Sequence, residues 1–506
     1  MSEYSERELV FPAIIAMGNA SGKMSTTELI SILTDVLQPD GKDAQIIEGR
    51  GDSYFSQKVR NLKAHNTLGK LGYANTTNDG WELNGTGWFL YEKVSSMLKK
   101  TRPHTNLLSN NTNSHPYLSA LRTKPFVLLA GISGTGKSRI VRKLAQATNS
   151  KKYAKEEDRW NDNRPDNFEL IQVKPNWHNS MDVVGFYSSV SKRYEFTPFV
   201  RFIVKAWQHL DTPYFLCLDE MNLAPVEEYF AEFLSAIESR SKDENGEYIT
   251  DPIIKPFNEF GTNTCEAMLK DLFGEAHYTE FNALAQQFTD KGLTLPRNLM
   301  VMGTVNMDET TFTFSRKVLD RAMSMEMNEV DYDAFLLGET ETMPILTEFN
   351  PLLVDRPQKA VDVKDDIEAQ RVVNYLKDVN ALFEGTPFKL GYRAANEAML
   401  YISASQDFTN KNFSFTKAID EFSLMKILSR VEGDDSRLSL DDTDERIANA
   451  GINATEILEG EETNPNLLHG LRAIVRKHIG TGSMTEKKIN AMLKTLDHEH
   501  FVSYWN

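Results

Sequence analysis

Cysteine is scarce in this chain: two in 506 residues. Cys217 lies inside an apolar run, and with only Cys265 for company it leaves neither a disulfide framework nor a cysteine-built zinc site to expect, which fits a reducing compartment. Long hydrophobic runs are missing as well, since no apolar stretch approaches the roughly 20 residues that span a bilayer. The opening Met1-Ser-Glu-Tyr-Ser-Glu-Arg-Glu is too acidic and polar for a signal peptide. A cytoplasmic location is therefore expected. Nor is there a surplus of positive charge: 56 Lys and Arg stand against 72 Asp and Glu, a net charge of −16. That disfavours indiscriminate polyanion binding by the whole surface and leaves room only for a local basic groove. Internal repeats and extended low-complexity tracts are absent too.

What is present reads as a globular chain of two to four domains, 41% hydrophobic and 25% charged. Residues 1–102 read as a small separate domain. Helices are predicted over Glu6–Met17, from a capping box at Ser25 and Glu28 to about Leu37, and over about Tyr54–Thr67. Two short strands are predicted around the Asn-Asp-Gly turn of the 73–83 stretch, and a closing helix over about Gly85–Lys99. Three helices followed by a β-wing is a winged-helix pattern. Residues 103–115, polar and Asn-rich, read as a linker. From 116 to 330 strand-like apolar runs alternate with helical periodicity, which predicts an α/β fold with a parallel sheet. The strand candidates are Phe126–Ala130, Phe168–Val173, Tyr214–Leu218 and Leu299–Thr304, with a long insertion over Pro256–Lys291. Residues 331–506 read as an α-helical lid and C-terminal helices.

The most informative stretch is Phe126-Val-Leu-Leu-Ala-Gly131-Ile-Ser-Gly-Thr-Gly136-Lys137-Ser138-Arg139. An apolar strand runs into a glycine-rich turn and then into a helix. Gly131, Gly134 and Gly136 permit backbone angles that aim successive N–H groups at one anion. Ser133, Thr135 and Arg139 complete the expected phosphate-binding run. Lys137 is expected on the β- and γ-phosphates and the Ser138 hydroxyl on Mg²⁺. The helix that follows points its N-terminus at the phosphates. The substrate is thus a nucleoside triphosphate, ATP or GTP.

Two further strands end in polar residues. Tyr214-Phe-Leu-Cys-Leu-Asp219-Glu220 delivers two carboxylates to the C-terminal edge of a sheet, the edge that faces ligands in open α/β folds. Asp219 is expected to hold Mg²⁺ through water and Glu220 to polarise the attacking water. Leu299-Met-Val-Met-Gly-Thr-Val-Asn306 delivers an amide that can orient that water or contact the γ-phosphate.

Together these residues resemble the AAA+ NTPases, in particular the McrB-like branch of modification-dependent restriction motors, over about residues 116–435. Asp219-Glu220-Met-Asn222 resembles that branch's carboxylate segment. Leu170-Ile-Gln172-Val-Lys-Pro175-Asn-Trp177 resembles its strand and loop between the two nucleotide motifs. Gly391-Tyr-Arg393-Ala-Ala-Asn396-Glu397 resembles the lid helix that carries the sensor-2 arginine, and Phe422–Gly433 the lid segment that follows. The resemblance implies a P-loop AAA+ core with an α-helical lid, with Arg393 among the nucleotide-binding residues. It also implies a trans-acting arginine finger in Phe314-Ser-Arg316-Lys317-Val-Leu-Asp320-Arg321, Arg321 first and Arg316 second. A finger acting in trans implies a ring, most simply a hexamer. After Asn306 the chain reads Met-Asp308-Glu309-Thr310-Thr311 and departs from the branch's Asp-Arg signature, which leaves the choice of base open.

In the N-terminal domain, Gln57, Lys58, Arg60, Asn61 and Lys63 fall off the apolar positions Val59 and Leu62 of the third helix, where they suit DNA bases and phosphates. The segment from Tyr54 to Trp81 resembles winged helices of Mrr-type restriction proteins. Residues 1–102 nevertheless hold twelve basic and twelve acidic residues, so the domain is not basic overall. The leading expectation is an NTP-driven motor or switch subunit of a DNA restriction or phage-defence system. It would bind double-stranded DNA and work with a separate nuclease, since no nuclease constellation is found in the sequence. The alternative is a MoxR-like remodelling ATPase whose N-terminal domain binds a protein partner.

Overall fold

The computed structural model describes residues 4–37, 39, 41–47, 50–88, 90–91, 115–243, 247–275, 281–307, 314–328, 330, 343, 345–346, 352, 359–409, 413–440, 445–453, 457–458 and 465–505. The chain divides into two compact units, residues 1–104 and 105–506. Of the expected linker at 103–115, residues 103–114 lie outside the described residues and His115 already begins a helix; the end of the expected closing helix, beyond Tyr91, also lies outside them.

In the first unit the order is α1 (Val10–Asn19), β1 (Lys23–Ser25), α2 (Thr26–Leu37), α3 (Tyr54–Ala64), a single helical turn (Thr67–Lys70), β2 (Ala74–Thr76) and β3 (Gly80–Leu83). The strands form one antiparallel sheet in the order β1-β3-β2. Strand β1 was not foreseen from sequence; at three residues it is too short to display a period. The capping box forms, with Ser25 N–H donating to Glu28 at 2.9 Å and Glu28 N–H to Ser25 Oγ at 3.2 Å. Trp81, Phe55, Val59, Leu62 and Leu29 are fully buried at the centre of this unit.

The second unit is built on a five-stranded sheet in the order β10-β4-β9-β8-β5. Its strands are β4 (Phe126–Gly131), β5 (Phe168–Gln172), β8 (Tyr214–Asp219), β9 (Leu299–Asn306) and β10 (Met323–Glu326). All pair in parallel. Alternate residues feed opposite faces: Val127, Leu129, Met300 and Met302 pack on one side, Phe126, Leu128, Leu216 and Val301 on the other. Burial on both faces explains why these strands read as unbroken apolar runs. Between the sheet strands lie α5 (Lys137–Thr148), a β6–β7 hairpin (Phe186–Ser188 with Arg193–Glu195), α6 (Pro198–Gln208) and α7 (Ala231–Glu238). The expected insertion holds two helices, α8 (Thr262–Phe273) and α9 (Asn282–Lys291). The four-residue α10 (Arg316–Leu319) leads into β10.

The lid is helical: α11 (Ala369–Leu382), α12 (Tyr392–Thr409), α13 (Phe415–Phe422), α14 (Leu467–His478) and α15 (Met484–Glu499). A π-turn, Ser423–Ile427, continues α13. The helix that precedes the sheet, α4 (His115–Thr123), packs on the lid. Buried ion pairs fasten it there: Arg122 to Asp407 at 3.1 Å and, just past the helix, Lys124 to Glu397 at 2.5 Å. Burial alone would raise the Glu397 carboxyl, but the ammonium groups of Lys124 and Lys426 outweigh it and hold the group at about 2. No helix among the described residues is long and apolar enough to cross a membrane.

Candidate active site

Strand β4 ends at Gly131, and the turn that follows returns to helix α5 at Lys137. Gly134 and Gly136 take φ of +84° and +85°, the left-handed region in which a side chain is strained. Gly131 is required for a different reason. A Cβ there would sit 2.3 Å from the Met327 carbonyl oxygen and 2.8 Å from Asn328 Oδ1. That side of the turn is held by Asn328, whose Oδ1 accepts from the Ile132 N–H at 2.9 Å. Asn328 in turn donates to Glu326, which is paired with Lys488 of the last lid helix at 2.8 Å. Lys137 is buried and donates to the Gly131 and Ile132 carbonyls at 2.9 and 2.7 Å. Ser133, Thr135 and Arg139 lie on the same turn and first helical turn, with Thr135 Oγ1 closing onto Ile132 at 3.1 Å.

Strands β8 and β9 bring the second group of residues to this edge. Ser138 Oγ donates to Asp219 Oδ1 at 2.7 Å, and Thr304 Oγ1 donates to the same oxygen at 2.7 Å. Thr304 also accepts from the Glu220 N–H at 3.0 Å. Glu220 itself has φ +54°, ψ +50°, uncommon for a residue with a side chain. Such strain gathers at working sites because the surroundings must enforce it. Here Thr304 fixes its N–H, and just beyond it Tyr229 donates to the Met221 carbonyl at 2.8 Å. Asn222 is buried beside this loop. Asn306 ends β9 directly opposite Gly131 in register. Lys137, Ser138, Asp219, Glu220 and Asn306 are thus brought to one sheet edge. Burial pushes the neighbouring Cys217 thiol well up, so it stays an inert packing group.

A hydroxyl and a carboxylate 2.7 Å apart are a hard-oxygen donor set, which fits Mg²⁺ held partly by water and phosphate. Among the described residues no group of three or more His, Cys, Asp or Glu side chains could hold a metal alone. The ion would therefore rest on Ser138 and Asp219 with its substrate.

Residues 126–263 match the family model described as AAA domain (dynein-related subfamily). The core is that of an AAA+ P-loop ATPase. Residues 354–501, most of the lid, match a model described only as a domain of unknown function (DUF8727). Among solved structures, one described as "a putative ATPase from Cytophaga hutchinsonii" is 14% identical, covering 67% of this chain and 87% of its own, with a TM-score of 0.36. No curated protein matches the chain. ATP is the substrate that the core implies, ordinarily with Mg²⁺.

Other expected residues fall elsewhere. Arg393 is not at the phosphate cradle. It pairs with Glu238, which also accepts from Lys124 at 3.1 Å, and Lys124 lies just before β4. Arg393 is therefore at the N-terminal edge of the sheet, and the cradle is at the C-terminal edge. The sequence could show that Arg393 opens a lid helix, but the end of the sheet on which that helix sits is a tertiary fact. Arg321 is at the same N-terminal edge, two residues before β10, whose Met323 is in register with Val127. Between Val127 and Gly131 run roughly 13 Å of strand. Arg316, on α10, is tied to the lid: it donates to the Pro387 carbonyl at 3.1 Å, lies 3.7 Å from Glu432 and covers the Phe388 ring. Arg321 differs. Its Nε is buried without a partner, and among the described residues it makes no ion pair. Asp320, the obvious neighbour, pairs instead with Arg430 at 2.8 Å. The departing segment 308–311 lies outside the described residues.

In the first unit, the α3 cations are engaged. Lys58 pairs with buried Asp43 at 2.5 Å, Arg60 with Asp52, and Lys63 donates to the Asn78 carbonyl at 2.6 Å. Gln57 and Asn61 bond each other at 3.4 Å. The acidic partners lie outside α3, so reading the helix alone did not reveal them.

Proposed function

We propose that this ATPase is the motor subunit of a DNA restriction or phage-defence system, working as a ring, most simply of six, whose active sites lie between subunits. Lys137 and the loop N–H groups bind the phosphates, Glu220 polarises the attacking water and Asn306 orients it. Arg321 of the adjacent subunit supplies the positive charge that offsets the developing γ-phosphate charge. The observation that carries the ring is the position of Arg321. A guanidinium with no ion-pair partner among the described residues, on the sheet edge opposite its own cradle, is placed too far to serve its own nucleotide and supports a role at a neighbour's. The restriction role rests on the resemblance to McrB-like motors. Cleavage falls to a separate nuclease, because the sequence holds no Asp…Glu-x-Lys core in a strand context. The helix–strand–helix–helix–strand–strand order of the first unit, with one short helical turn after the third helix, supports a winged-helix reading for DNA contact.

The engaged α3 cations favour a second reading, in which the first unit grips a protein partner and the ring remodels it.

The ring is tested by mixing. Arg321→Ala and Lys137→Ala subunits should each be nearly inactive, and turnover should reappear when they are combined. Inactivity at every mixing ratio would end the shared-site model.

A further inference from the structure

The turn that carries Arg321 is held from below by the lid. Lys426, fully buried in the π-turn, donates to the carbonyls of Leu319, Asp320 and Ala322 at 3.1, 2.9 and 2.8 Å. These are the carbonyls around the end of α10, which a four-residue helix leaves without internal partners. The same ammonium is 2.9 Å from Glu397 Oε2 on α12. Four residues on, Arg430 pairs with the Asp320 carboxylate at 2.8 Å and returns a hydrogen bond from its Nε to the Lys426 carbonyl at 2.8 Å. Lys124 adds a third cation, 3.4 Å from the Asp320 carbonyl oxygen. Beside these groups is a cavity of about 220 Å³ lined by Asp320, Arg393, Glu397, Lys426 and Arg430. The turn is thus gripped on this side by charge and hydrogen bonds rather than by close packing.

We propose that Lys426 is a positioning residue for Arg321: the lid segment 423–430 sets where each subunit presents its arginine to the neighbour's nucleotide. The inference rests on the reading of Arg321 as a trans-acting finger. The physical reason is geometric. An ammonium bonded to three backbone oxygens that flank Arg321 fixes a turn more tightly than any single contact, and a misplacement of about 1 Å in a catalytic group can cost on the order of 100-fold in rate. Because Lys426 belongs to the lid, lid movement in one subunit reaches the arginine that the next subunit uses.

The test uses full-length protein in mixed rings. Lys426→Met removes the ammonium and keeps the length of the side chain. Alone, it should bind ATP with unchanged affinity and an unchanged KM, and lose roughly 10- to 100-fold in kcat. Mixed with Lys137→Ala subunits, whose Arg321 turn is intact, it should regain turnover at up to about a quarter of interfaces under random assembly. Mixed with Arg321→Ala it should regain none, because both partners then offer a defective arginine. A purely structural role for Lys426 damages its own subunit's site. In that case Lys137→Ala subunits would rescue Arg321→Ala but not Lys426→Met, and the proposal would fall while the finger reading stood. If Arg321→Ala itself is not rescued, the finger reading is what has failed. Arg430→Gln, at the edge of the same grip, provides a second variant in case Lys426→Met does not fold. It should show the same pattern with a smaller loss, and rescue by Arg321→Ala subunits would overturn the proposal.

Discussion

At the scale of single residues, Glu220 carries the sharpest expectation. Its backbone is held in a left-handed conformation and its N–H is tied to Thr304, so the place from which the carboxylate leaves the chain is set without help from the substrate. Removing a group that acts mainly as the bond to phosphorus changes should spare binding and stop chemistry. Glu220→Gln should therefore bind ATP as the unaltered protein does and lose on the order of 100- to 10,000-fold in turnover. Equilibrium binding and single-turnover rates separate the two effects, and near-normal turnover would remove Glu220 from its role. Most residues at this edge were legible in sequence because their types and order are local: glycines, Lys-Ser, then a strand ending in carboxylates. Thr304 and Asn328 were not. Thr304 carried a faint signal, a hydroxyl inside an apolar strand. Asn328 carried none, because it reaches Ile132 from a segment 196 residues away.

At the scale of elements, four sheet strands announced themselves as apolar runs. The fifth, Met323-Ser-Met-Glu, did not, because polar residues break its run and its identity comes from pairing beside β4. The docking of α4 on the lid was equally silent, and it brings two titratable groups together under cover. His115 Nε2 lies 3.5 Å from Glu421 Oε1, and Tyr401 donates to the other carboxyl oxygen at 2.9 Å. Burial lifts Glu421 to about 7 and, with the Lys417 charge, brings His115 down to about 4. Between pH 4.5 and 7 the folded chain thus holds a proton on Glu421 that the unfolded chain releases. The stability this contributes is complete below pH 4.5 and is lost as pH rises through 7, an effect of up to about 3 kcal/mol. Glu421→Gln keeps a neutral side chain of the same shape. It should melt at a higher temperature than the unaltered protein at pH 8 and lose that advantage at pH 5. Equal melting differences at both pH values would mean that Glu421 is charged when folded.

At the scale of the whole molecule, the open issue is what the first unit grips, and ion-pair exposure decides how many α3 cations DNA could recruit. Lys58 is committed, since freeing it would leave Asp43, which is completely buried, without its counter-charge and with a hydrogen bond from the Tyr4 N–H in its place. Burying an unpaired carboxylate costs several kcal/mol, more than one phosphate contact returns. Arg60 and Asp52 are both substantially exposed, and an exposed pair of that kind is worth about 0–1 kcal/mol. Arg60 can therefore change partners, and Lys63 surrenders only a carbonyl. A DNA-binding mode then rests on about two α3 phosphate contacts, which sets the slope of log K against log salt near −2. Duplex DNA at about 50 mM salt should stimulate ATP turnover of the full chain, and Arg60→Ala should reduce that slope by about one unit. Residues 105–506 alone should not respond. If DNA leaves turnover of the full chain unchanged even at low salt, the DNA reading of the first unit fails and the protein-remodelling reading is favoured.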